Sequence, residues 1–285
     1  MIALDAATVL LQWAVGGLAF LWVTTRRREV GIGYGWLMRG TYGLMALLAL
    51  GIGLRFGDAV PVRDASAALV VVATTVALVV SVQRRRAGVA GQRQLAESRS
   101  ARVAAMTGIE RAAEEKDADS PEFPPVLDLV APVIGIVGLV AGGIAAGEPV
   151  ALSVARIVVG AAFLGAVSDA MLLGHWYLVQ PGLARSPLLE LIRWTGWIWP
   201  VHLAVFLWPT GMISALTGDI DDGYGGLLGW FWAACAITTG GLVVVTLAAL
   251  RERQYSAVMA ATGLLYLAIL TAFGQDLVAR AILAP

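Results

Sequence analysis

The chain has 285 residues, 59% of them hydrophobic and only 14% charged, with a mean hydropathy of +0.78. A soluble domain carries roughly a quarter charged residues, so a soluble globular class is excluded. Formal net charge is zero, which removes bulk electrostatic attraction to nucleic acid as a basis for function. Cys235 is the single cysteine, so no internal disulfide and no CxxCH haem-attachment motif is available.

Long uncharged runs lie between clusters of charge, and a spanning helix needs about 20 apolar residues. Eight runs qualify, at about 4–25, 32–54, 65–82, 126–146, 151–179, 188–215, 226–249 and 255–277. Lipid offers no partner for backbone amides, and the runs lack the alternation of barrel strands. The expected fold is therefore all-α: a polytopic membrane bundle of eight transmembrane helices. The first run is preceded by Asp5, with Arg26, Arg27 and Arg28 on its far side. It reads as a retained span and not as a cleavable signal.

Orientation follows the arginines. With both termini outside, Arg26–Arg28, Arg84–Arg86, Arg185, Arg251 and Arg253 fall inside, the outside receives only Arg55, Arg63, Arg156 and Arg280, and the outer loops carry Asp58, Asp64, Glu148, Asp219, Asp221 and Asp222. The use of Arg over Lys and the Ala, Val and Gly richness suggest a bacterial chain, hence a multi-pass protein of the inner (plasma) membrane. The expected organisation is helices one to three over 1–82, a charged, partly helical cytoplasmic segment over 83–125, and helices four to eight over 126–285. That segment reads as a solvated helix or as a docking surface for a soluble partner.

In the fourth span Gly138 and Gly142 stand four apart, as do Gly143 and Gly147. Small residues at that spacing let helix backbones approach closely, within the bundle or across a dimer. Residues 20–43, "FLWVTTRRREVGIGYGWLMRGTYG", align without a gap on 174–197, "GHWYLVQPGLARSPLLELIRWTGW". Trp22, Leu37, Arg39 and Thr41 meet Trp176, Leu191, Arg193 and Thr195. The alignment raises a parallel 4+4 internal duplication, with both halves in one orientation.

Ionisable groups inside a membrane are costly and usually face protein or water. Arg39 in the second span, Arg193 and Glu190 in the sixth, and Asp169 and His175 in the fifth all fall in the cytoplasmic half. Together with Trp176 and Tyr177 they suggest a polar pocket toward that leaflet, in which Asp169 pairs with Arg193 or Arg39. The alternative is snorkelling arginines and a structural ion pair. His202 in the sixth span lies in the outer half beside Pro200, which is expected to kink the helix. A freed carbonyl or Gln12 would satisfy it, or with Trp197 and Trp199 it could hold an aromatic ligand. His175 and His202 differ in depth by roughly 16 Å, too far to share one haem.

Two functional classes follow. One is an accessory or quinone-associated subunit of a respiratory or electron-transfer complex, without covalent chemistry of its own, in contact with lipid and with other membrane subunits. The other is a small-solute or ion transporter made of two four-helix repeats. No HExxH, acidic metal cluster or GxSxG is present to suggest a lipid-modifying enzyme.

Overall fold

The computed structural model describes residues 2, 4–57, 59–85, 101, 122–180, 183–252 and 254–284. Among them the chain is helical throughout, as expected. The helices are α1 (Ala6–Thr25), α2 (Ile32–Arg55), α3 (Pro61–Gln83), α4 (Leu127–Ala145), α5 (Val150–Val179), α6 (Ser186–Leu207), α7 (Gly211–Thr217), α8 (Leu227–Ala249) and α9 (Tyr255–Ile282). Seven are long and apolar enough to cross a membrane, and the bent pair α6–α7 makes an eighth candidate. The charged segment expected over 83–125 lies almost wholly outside the described residues.

Local chemistry sets the helix ends. Asp5 caps α1 by accepting the amides of Ala7 and Thr8 at 3.3 and 3.1 Å, which satisfies donors that have no intrahelical partner. Pro61 opens α3 and Pro187 stands in the first turn of α6, where a missing N–H costs nothing.

Two four-helix rings result. In the first, α1 packs on α2, α2 on α3, α3 on α4, and α4 returns to α1. In the second, α5 packs on α6, α6 on α8, α8 on α9, and α9 returns to α5. The rings meet chiefly where α5 packs against α1 and α4. A Cβ at Gly16 would sit 1.8 Å from the Ala161 carbonyl oxygen, and one at Gly165 would sit 2.2 Å from the Gly16 carbonyl carbon. Backbone contact this close is what small residues permit in a membrane. The glycines of α4 also serve packing within the chain: Gly138 faces Ser66 and Leu11, Gly142 faces Thr8, and Gly143 faces Val154. The periphery is apolar, with Leu44, Leu48, Val72, Val76, Val244 and Leu270 exposed on α2, α3, α8 and α9.

Two expectations are corrected. The sixth span does not reach 215: it continues through Pro200 and ends at Leu207, and α7 leaves it at 67°. Pro200 lies in the interior of α6, where the helix carries on past its missing N–H, while Pro209 stands at the break. Arg156 donates to the carbonyls of Val205 and Trp208 at 2.9 and 3.1 Å, satisfying acceptors that the ended helix leaves free. The ungapped alignment of 20–43 on 174–197 is out of phase at three of its pairs, while Trp22 and Trp176 are both half-buried and Met38 and Ile192 both buried. Leu37, Arg39 and Thr41 are exposed, buried and exposed, whereas Leu191, Arg193 and Thr195 are buried, exposed and buried. The ring order recurs, and that register reproduces only part of the burial pattern.

Candidate functional site

One end of the bundle carries Arg26, Arg27, Arg28, Arg84, Arg85, Arg185 and Arg251; the other carries Asp5, Glu148, Asp219, Asp221 and Asp222. They are called here the arginine-rich and acidic ends. Between them the core holds polar side chains in separate groups.

The first group surrounds Asp169 on α5, which is fully buried. Tyr42 on α2 donates its hydroxyl to Asp169 Oδ1 at 2.5 Å, and Tyr34 donates to the Asp169 backbone carbonyl at 3.4 Å. Next to it Ser168 accepts the Trp13 indole N–H at 2.7 Å. Gly17 leaves room for the Tyr42 ring, because a Cβ there would lie 2.0 Å from it. Asp169 Oδ2 has no hydrogen-bond partner among the described residues. Neither Arg39 nor Arg193 reaches this carboxyl group, so the expected ion pair is absent.

Arg39 has a different partner. Its guanidinium makes a two-pronged contact with Asp128 in the first turn of α4, both N–O distances being 2.8 Å. Ser81 accepts a further bond at 3.2 Å, and the Phe123 ring lies 4.3 Å from the guanidinium carbon. This geometry matches the guanidinium fork to a carboxylate, and both side chains are buried. Glu190 pairs with Arg26 and, at 3.4 Å, with Arg27. Arg193 is exposed and makes no ion pair among the described residues.

His175 is also exposed. Its Nδ1 meets the Tyr266 hydroxyl at 3.1 Å on the outside of the bundle. Trp176 packs edge-on to Tyr34 and donates to Gln180 at 3.2 Å, and the buried Tyr177 donates to the Ala184 carbonyl. The residues expected to share one pocket are therefore distributed over a core site, two ion pairs and the outer surface.

The acidic end holds a further group. Asp276 on α9 pairs with Arg280 one turn later at 2.8 Å and accepts from Gln12 of α1 at 3.4 Å. Arg280 also donates to Gln12. His202 stands with Nε2 3.7 Å from Asp276, stacked on Phe163 at 4.4 Å and tilted against Phe206 at 4.7 Å. Gln12 thus belongs to the same group as His202, as expected, but bonds to its partner carboxylate. Asp276 escaped sequence reasoning and Arg280 entered it only as an outer charge, although their i, i+4 spacing is a usable signal. In the first ring, Arg63 is held by Asp64 at 2.9 Å and by Asp5. It lines a cleft of about 420 Å³ that opens among α1, α2, α3 and α4.

No group of three or more His, Cys, Asp or Glu side chains able to hold a metal ion occurs among the described residues. The fold defines a multi-pass helical membrane protein. No family model, no curated protein and no solved structure matches the chain.

Proposed function

We propose that this protein is a proton-coupled transporter of a small solute, built from two four-helix halves in the same orientation. One observation carries the reading: Asp169 is fully buried, a tyrosine hydroxyl is its side-chain partner, and its second oxygen is unpaired among the described residues. A carboxylate without a cation in such a setting costs several kcal/mol, so the neutral acid is the form that fits the resting site. A buried carboxyl of this kind takes up a proton and gives it back when its surroundings change. The recurring ring order agrees with parallel repeats, in which sites form where the halves meet. Asp169 lies on the helix that joins them.

The test is proton movement by the purified protein in liposomes carrying an internal pH dye, with a potassium diffusion potential as driving force. Wild type should acidify the lumen, with or without added solute, and Asp169→Asn should abolish the signal while keeping its unfolding temperature. Equal proton movement by the two proteins removes the reading.

The accessory or quinone-associated subunit is the second reading, favoured by the exposed His175–Tyr266 pair beside Trp176. Polar donors and aromatic rings on the outer surface suit docking of a quinone headgroup or a partner subunit. Gentle purification should then retain quinone or respiratory subunits, and His175→Leu should release them. A preparation free of both contradicts this second reading.

A further inference from the structure

Seven buried side-chain nitrogen and oxygen atoms lack a hydrogen-bond partner among the described residues, and five of them belong to three residues of the second ring. These are His202 Nδ1 and Nε2, Gln275 Nε2 and Oε1, and Trp232 Nε1. They come from α6, α9 and α8, and each residue is at most 3% exposed. His202 stands five residues before the end of α6, Trp232 five after the start of α8, and Gln275 seven before the end of α9. At 1.5 Å per residue all three lie about 7 to 11 Å below the acidic-end helix termini. They lie at one depth, on three of the four helices in the ring. Buried polar atoms are nearly always paired, so a concentration of unpaired ones in a single layer marks a place built to hydrogen-bond something.

We infer that this layer, beneath α7, is a binding site for a small uncharged solute bearing hydroxyl or amide groups. The donor and acceptor inventory selects the class. Trp232 offers an N–H, Gln275 an amide NH₂ and a carbonyl oxygen, and His202 its Nδ1, while its Nε2 stands 3.7 Å from Asp276. The neighbouring charges, Asp276 and Arg280, are paired with each other at 2.8 Å, so the layer presents no net charge to a ligand. Phe163 and Phe206 flank His202 and supply apolar walls. Helix α7 forms the roof: Met212 and Ala215 pack in one cluster with Phe206, Trp232 and Ala279. The first ring has an open cleft at the corresponding end. As the solute of a transporter, the ligand rests on the reading of Asp169 above; as a bound molecule, it rests on the unpaired atoms alone.

Binding of radiolabelled glycerol, urea and acetamide to the full-length protein in detergent tests the inference. At least one probe should bind saturably. Gln275→Leu and Trp232→Phe should each weaken it about ten-fold or more. Because both replacements remove unpaired atoms, they should leave the unfolding temperature unchanged or raised. Failure of all three probes, or unchanged binding in both variants, overturns the site, water being then its occupant. Asp169→Asn separates the two ideas. Proton movement that depends on Asp169, without probe binding, leaves the transporter reading and removes this site. Probe binding with proton movement indifferent to Asp169 does the reverse.

Discussion

At the scale of single residues, the buried Arg39–Asp128 pair ties α2 to α4 across the first ring. Both side chains are buried, and the contact uses two guanidinium nitrogens. Removing one partner strands a charge, which typically costs about 3–5 kcal/mol, whereas replacing both with apolar groups of similar volume is often neutral or better. Asp128→Ala should therefore lower the thermal midpoint in detergent sharply, and Arg39→Met combined with Asp128→Leu should recover most of the loss. A double variant no better than the single one would show that the pair is not the source. The depth of Arg39 and Asp169 was readable from the sequence, because depth is a count of residues from a charged flank. Their partners were not. Which way a side chain points depends on the rotation of its helix against neighbours distant in sequence, and Asp128 is 89 residues from Arg39. The assignment of Arg39 or Arg193 to Asp169 failed for that reason. Candidate residues of one half of the bundle, His175 and Asp169 among them, were separated by azimuth into a surface pair and a core site.

At the scale of elements, α1 and α5 cross at backbone contact through Gly16 and Gly165. An alanine methyl at either position meets main chain and not the mobile end of a side chain, so the helices must move apart. Gly16→Ala and Gly165→Ala should each destabilise by about 3 kcal/mol or more, the upper part of the overpacking range. Gly263 on α9 has nothing within 4 Å of its built Cβ. Gly263→Ala should be neutral or stabilising by up to about 1 kcal/mol, from helix propensity alone. Thermal unfolding in one detergent compares the three; equal effects would mean that the crossing is not tight.

The start of α8 carries a pH dependence. Asp222, in the loop before it, accepts the amides of Gly226, Tyr224 and Leu228 at 2.8–2.9 Å and that of Gly229 at 3.4 Å. These bonds, the one from Gly226 foremost, hold its carboxyl below the usual aspartate range. Gly223, Gly225 and Gly226 adopt the positive φ that lets the loop wrap around it. With a lowered folded-state pKa, its contribution is present above the unfolded value and lost as pH falls through the folded value. Hydrogen exchange of 223–229 at neutral pH should be faster in Asp222→Ala than in wild type, and the difference should vanish below that lowered pKa. A difference that persists in acid would assign the protection to something else. Boundaries of this kind were legible where composition changes abruptly: α1, α2, α5 and α8 begin or end within a residue or two of the apolar runs. The end of α6 was not, because apolar residues continue through the bend into α7.

At the scale of the whole molecule, the two ends differ in kind. The arginine-rich end presents its charges on short connections, where the positive-inside rule counts them. At the opposite end Arg55 is exposed, but Arg63, Arg156 and Arg280 are all at most 2% exposed. These three are committed to Asp5 and Asp64, to carbonyls of the α6 terminus, and to Asp276. Buried arginines fixed by internal partners do not act as loop charges, so the effective asymmetry exceeds the one obtained by counting residues. The acidic end should therefore face away from the cytoplasm. Cysteine labelling decides it. Cys235 is 7% exposed, and Cys235→Ala provides a cysteine-free background. Asp221 and Glu252 are exposed at opposite ends, and neither replacement removes an arginine. With a membrane-impermeant maleimide on intact cells, Asp221→Cys should label directly and Glu252→Cys only after permeabilisation. The reverse pattern, or equal labelling of both, would overturn the orientation. It would also invert the direction in which Asp169, on the arginine-rich side of His202 in the bundle, receives and releases its proton.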